Sequence, residues 1–233
     1  MIKVENTEVY GWEAAIRGMR NPMNSWEKSD SCYCKEPITA KCNNSDCSHC
    51  GWAWTNLGKN PFCIGDNDLT LMQKLVRAGT DHRKFMRMIT VSCDIIAPFY
   101  WWKQFDTYKI GTVTDSCSTM HKIAEKEFVL NDFSCEYLFN GNEEGTEFLK
   151  DFMYTIKALN RAREKYLETK KKIYWWQMIQ MLPESYNQRR TVVLNYEVLR
   201  NACQARKNHK LDEWHEFCKW AESLPYSELI LEV

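Results

Sequence analysis

Six of the eleven cysteines (Cys32, Cys34, Cys42, Cys47, Cys50 and Cys63) crowd into one stretch of about thirty residues. Cys93, Cys117, Cys135, Cys203 and Cys218 stand singly among apolar neighbours. A disulfide scaffold spreads its cysteines over the whole chain and usually follows a secretion signal. Here the count is odd, and the N-terminal MIKVENTEVYGWEAAIRG lacks the basic-then-apolar order of a signal peptide. The fold must therefore rest on a hydrophobic core, with reduced thiols and the lone cysteines acting as small core residues. A cytoplasmic location is the expectation.

Composition agrees with a core of that kind. Hydrophobic residues make up 44% and charged residues 27% of the 233 positions, the balance of a globular chain. The 31 basic residues match the 31 acidic ones, which excludes a globally basic nucleic-acid binder and leaves only a local basic face. No run of about 18 apolar residues occurs, so a membrane partner is not expected.

Along the chain, Ile2 and Val4 mark a strand leading into a short helix with Trp12, Ala15, Ile16 and Met19 inward. Residues 30–64 are polar and turn-rich, and read as an insertion within a single domain spanning 1–233. Asp66 or Asp68 can cap a helix carrying Leu69, Met72, Leu75 and Val76, with Gly79 ending it. Residues 85–96 read as a buried strand, and Pro98 opens an aromatic helix. A long helix runs from Thr146 to a Lys170-Lys171-Lys172 end, and Leu182-Pro183 breaks the next. Helices over about 190–207 and 211–223 close the chain. The expected class is α+β, one mostly helical domain with a small antiparallel sheet.

The cysteine-rich stretch has the ligand density of a structural zinc site. Zinc takes four soft ligands in a tetrahedron, and closely paired cysteines supply two from one turn. Cys32, Cys34, Cys42, Cys47, Cys50 and Cys63 are the candidate ligands, with His49 as a substitute. Free loop thiols and an iron–sulfur cluster are the alternatives.

Several segments in order resemble the flavin-dependent thymidylate synthases. In APFYWWKQFDTYKIGTVTDSCSTMH, Lys103-Gln104 stands where that family has Arg-Gln, and Thr107-Tyr108-Lys109 where it has an Arg-His-Arg triplet. Asp115 takes an acidic position and Cys117 that of a serine. His82 falls at a flavin-contacting histidine. Leu182-Pro183 leads after twelve residues to Asn195, then Leu199, Asn201 and Arg206, similar to the family's Leu-Pro, Asn, Leu and Leu-Arg pattern. Ile16-Arg17-Gly18-Met19-Arg20 is similar to its first Arg-containing helix.

The resemblance implies an FAD cofactor, a folate donor with NADPH as reductant, a pyrimidine deoxynucleotide such as dUMP as methyl acceptor, and a homotetramer with sites between subunits. It assigns Arg206 to polarising the pyrimidine ring, Cys117 to a nucleophile's position, and Lys103, Gln104 and Asp115 to the substrate. His82, Lys109, Asn195 and Asn201 would meet the cofactor. Departures accompany the matches. Thr107, Thr119, Ile179 and Glu197 stand at family arginines, so phosphate-facing cations are missing and one is replaced by an anion. Lys103, Arg189 and Arg190 compensate in part.

Three functions follow. The first is a divergent flavin-dependent enzyme methylating a pyrimidine nucleotide. The second is a non-catalytic nucleotide- or partner-binding protein with a zinc-stapled insertion. The third is a single-strand binder using Lys170, Lys171, Lys172, Arg189 and Arg190 with Trp175 and Trp176.

Overall fold

The computed structural model describes residues 1–33, 62–139 and 143–231. Strand β1 (Lys3–Tyr10) leads into α1 (Trp12–Arg20), and the two-residue strands β2 (Cys32–Tyr33) and β3 (Phe62–Cys63) pair with each other. Next come α2 (Asp66–Arg77), a 3₁₀ turn over Lys84–Met88, β4 (Thr90–Pro98), α3 (Phe99–Phe105), β5 (Val113–Ser116) and α4 (Thr119–Lys122). The chain ends with α5 (Glu143–Thr169), α6 (Lys172–Met181), β6 (Asn187–Asn195), α7 (Tyr196–Arg206), α8 (Asp212–Glu222) and α9 (Glu228–Leu231). The described residues are thus mostly helical around a small antiparallel sheet, ordered β1-β4-β6-β5.

The sheet turns one face to the core. Val91, Cys93, Ile95 and Ala97 alternate along β4, and Val192 and Leu194 along β6, each buried. Period-two alternation on adjacent strands puts one apolar row against the helices. Trp101, Trp102 and Phe105 of α3, Tyr196 and Leu199 of α7, and Trp214 and Phe217 of α8 fill that core. The opposite face is polar: Asp94 accepts from Asn6 Nδ2, Arg189 Nη2 and Thr191 Oγ1 at 2.8, 2.7 and 2.6 Å. These hydrogen bonds hold the Asp94 carboxyl well below the usual carboxylate range.

Helices α5 and α6 form a hairpin over a second, smaller core. Ile123, Phe128, Phe133, Ile156, Leu159, Met178 and Tyr186 are buried there. Phe99 packs against both cores and so links them.

One expected helix, one expected strand and one expected helix cap are corrected. Residues 187–195 form the central strand β6, not the first turns of a helix beginning near 190, because nine consecutive β6 residues pair with β4. The stretch expected as a strand over 85–96 is a 3₁₀ turn up to Met88, and the strand runs over Thr90–Pro98. Neither Asp66 nor Asp68 caps α2. Gly65 is the N-cap, and the free first-turn amides of Asn67 and Asp68 donate to Asp30 instead.

Asp68 does other work. It is fully buried and accepts from Arg20 Nε, Ser29 Oγ and Ser31 Oγ, each at 2.6 Å, and from the amides of Asp30 and Ser31. Arg20 in turn donates to Ser25 and to the Lys28 carbonyl. This buried pair ties the end of α1 to the start of α2 and the chain leading into β2. Burial alone would raise the Asp68 carboxyl, but the bonds from Ser29, Ser31 and Arg20 outweigh it and hold it below its ordinary value.

Of the cysteine ligands expected for zinc, Cys34, Cys42, Cys47 and Cys50 lie outside the described residues. Cys32 and Cys63 face each other as cross-strand partners at the neck of the insertion. Among the described residues, no group of three or more His, Cys, Asp or Glu side chains could hold a metal ion. No described helix is long and apolar enough to cross a membrane.

Candidate functional site

The Lys103–Lys109 segment carries several of the expected site residues and packs against the turn between α7 and α8. At its centre lies Trp214, fully buried, whose indole Nε1 donates to Gln104 Oε1 at 2.9 Å. The guanidinium of Arg206, last residue of α7, stands 4.8 Å over the Trp214 ring and 5.8 Å from the ring of Tyr108. Its Nε donates to the Tyr108 hydroxyl at 3.1 Å. Two aromatic faces and one hydrogen bond hold the fork in a fixed plane. Gln104 and Tyr108, neighbours in sequence, thus meet Arg206, 98 positions from Tyr108, at one indole.

Beside them opens a groove of about 640 Å³ lined by Tyr100, Gln104, Asn208, His209, Lys210 and Leu211. That volume falls within the range of small-molecule sites. Tyr100 forms one wall and hydrogen-bonds through its hydroxyl to the buried carboxylate of Glu213. Burial and that carboxylate raise the Tyr100 phenol far above its ordinary value, so it stays a protonated donor. His209 is pushed below its ordinary value by burial and by the nearby Arg206 guanidinium. It therefore lines the groove as a neutral ring near neutral pH, with Nδ1 accepting from the Leu211 amide.

Two of the residues expected at a cofactor, Asn195 and Asn201, belong to α7 and its cap. Asn195 is its N-cap, its side-chain oxygen accepting from the Val198 amide at 3.0 Å. Its amide nitrogen lies against Gly111, two residues after the exposed Lys109. A Cβ at Gly111 would sit 2.7 Å from that nitrogen, and the φ of +79° there also favours glycine. Asn201 accepts from Arg83 Nη2 at 3.3 Å, while Arg83 Nε meets both oxygens of Glu197 at 3.1 and 3.0 Å. His82 is exposed beside Arg83, in a turn closed by its amide on the Gly79 carbonyl.

The other expected residues lie elsewhere. Lys103 pairs with Glu184 on the surface, at 68% and 56% exposure. Asp115, opposite Thr191 on β5, is exposed. Cys117 is also exposed, its backbone bound to Arg189 and to the Gln188 side chain. Thr107 turns its hydroxyl onto the Gln104 carbonyl at 2.7 Å. Of the cations expected to compensate for missing arginines, Arg189 is paired with Asp94 and Arg190 with Asp106, the latter 4.2 Å over Trp102. Both arginines of the single-strand reading are thus already paired with carboxylates, Arg189 while half exposed. Trp175 is likewise packed on the second core, donating to the Met120 carbonyl.

Trp214 lies on the helix expected over about 211–223, where its helical spacing with Phe217 and Ala221 marks it as core and gives no sign of its part as the site's platform. Sequence reasoning also passed over Glu213 and Arg83. A signal for Arg83 was present: an anion at an expected cation position, Glu197, invites a search for the opposite change nearby.

No protein-family model matches the sequence, and no curated protein matches it. Solved structures do share the fold. The chain is similar to the flavin-dependent thymidylate synthase ThyX from Helicobacter pylori complexed with FAD and dUMP, at 16% identity and a TM-score of 0.65, over 99% of this chain and 98% of that one. It is also similar to the UMP/dUMP methylase PolB from Streptomyces cacaoi bound with 5-Br dUMP, at 12% identity and a TM-score of 0.58, over 96% and 89%. At these identities the likeness shows a ThyX-like fold.

Proposed function

We propose that this chain is a divergent flavin-dependent enzyme that methylates the base of a pyrimidine nucleotide, with a folate as one-carbon donor and NADPH as reductant. The observation that carries the proposal is the Arg206 guanidinium, fixed between Tyr108 and Trp214, the indole that also orients Gln104 of the groove wall. Solved structures of the same fold hold dUMP or its 5-bromo analogue. Arg206 would meet a pyrimidine carbonyl with a preoriented cationic donor, worth most where negative charge develops on the ring. The Gln104 amide, its oxygen held by Trp214, would offer its NH₂ to the base edge. Tyr100 would supply a wall of the groove and a flat surface for stacking.

The donor set around α7 fits a flavin. The amides of Asn195 and Asn201 suit ring edges, and His82, Arg83 and Lys109 offer an imidazole, a guanidinium and an ammonium to its phosphates. A bound flavin supplies the hydride chemistry. The protein's part is to hold the ring against the base and exclude water. A homotetramer with shared sites belongs to the same proposal.

A second reading, nucleotide binding without turnover, is favoured by Thr107, whose hydroxyl is turned onto backbone instead of toward a ligand. The absorbance spectrum of the purified protein, with extraction of bound ligand, separates the two. Titration of Arg206→Ala with dUMP tests the site itself. Loss of a charge-assisted bond worth about 1.5–3 kcal/mol weakens binding roughly 10- to 150-fold. Unchanged affinity would remove Arg206 from the pyrimidine site.

A further inference from the structure

We infer that Arg83 is the phosphate-facing cation of the flavin site, with Glu197 and Asn201 as the residues that position it; this rests on the flavin reading above. The argument starts from an ion pair. Arg83 and Glu197 are 12% and 7% exposed, so both charges are largely removed from water. A buried pair of this kind seldom gains stability over apolar residues of the same size, because desolvation cancels most of the attraction. A pair that adds little stability leaves the charge open to another use.

The geometry supplies one. Glu197 takes the Arg83 Nε with both oxygens, and Asn201 takes one Nη2 hydrogen, so three acceptor atoms lock the guanidinium plane. Nη1 makes no hydrogen bond to the described residues. A fork fixed on one edge and open on the other is preorganised for an oxyanion, and Arg is the side chain that does this with least loss of freedom. Its neighbours are the two groups assigned to the cofactor, His82 next to it in the chain and Asn201 in contact with it. Glu197, which by resemblance replaces an arginine, is therefore not a lost cation. The guanidinium has moved across the contact, from α7 to the turn before β4.

The test compares FAD with riboflavin, which lacks phosphate, by quenching of flavin fluorescence. Arg83→Ala alone leaves Glu197 buried without its ion-pair partner and can unfold the site, so the double variant Arg83→Met/Glu197→Gln is measured beside it. The expected result is wild-type protein that binds FAD at least about tenfold tighter than riboflavin. In the double variant this ratio falls toward one, FAD affinity becomes less salt-dependent, and riboflavin affinity stays within about twofold. A double variant that keeps the wild-type ratio and salt dependence overturns the role of Arg83 while leaving the flavin reading intact. Wild-type protein that binds neither flavin overturns the flavin reading itself.

Discussion

Replacing Asp68 with Ala tests the buried charge that fastens the first two helices together. In the native protein the Asp68 carboxylate accepts from Arg20, Ser29 and Ser31 at 2.6 Å each, and the Arg20 and Asp68 side chains are 5% and 0% exposed. The substitution leaves a guanidinium in the interior with only backbone and Ser25 oxygens to meet it. Breaking a buried pair from one side costs about 3–5 kcal/mol. For a chain of this size each kcal/mol lowers Tm by about 2–4 °C, so a fall of roughly 6–20 °C is expected by calorimetry. The control is Lys103→Ala, which breaks an ion pair of similar length (2.7 Å) between exposed side chains and should move Tm by no more than about 3 °C. Equal shifts in the two variants would refute the reasoning, since the predicted difference comes entirely from burial.

Two further outcomes can be checked directly. The Asp68 carboxyl is held below its ordinary value in the fold, so its contribution is complete above about pH 4 and is lost as pH falls through the native value. The Tm gap between wild type and Asp68→Asn should therefore narrow between pH 6 and pH 3, and a constant gap would contradict the assignment. Thiol reactivity should divide the cysteines by burial. Cys117 and Cys32 are exposed and should alkylate within minutes, whereas Cys93, buried and pushed up to about 12, should resist until the protein unfolds; mass spectrometry of timed quenches reads the order.

Much of the helical framework was readable because helical spacing reports burial directly. Trp12, Ala15, Ile16 and Met19 are buried on α1, as are Trp214, Phe217 and Ala221 on α8. The sheet was harder. In β6 the alternating row Val192 and Leu194 continues into Val198, Leu199 and Cys203 of α7, a sequence that also suits helical spacing throughout. The β-branched run Thr191-Val192-Val193 was the signal for a strand. Strand β5 has four exposed residues and carries no burial pattern at all. The site divided in the same way. Arg206 and Gln104 were found from spacing, but their meeting place was not, because Trp214 looks in sequence like any other buried aromatic. Arg83 was hidden for another reason: an ion pair across 114 positions leaves no local pattern.

The pairing of Cys32 with Cys63 has a consequence for engineering. Partners in an antiparallel ladder lie about 5 Å apart, so Tyr33 and Phe62, which flank residues 34–61, are as close as the ends of a hairpin turn. The closure entropy of such a loop grows only by about 0.6 kcal/mol per doubling of its length. Ends this close can be joined by a short turn, or by a foreign peptide, without moving the strand pair below them. A chain so shortened would separate what the cysteine cluster does from what the groove at Trp214 does, in one cloning step.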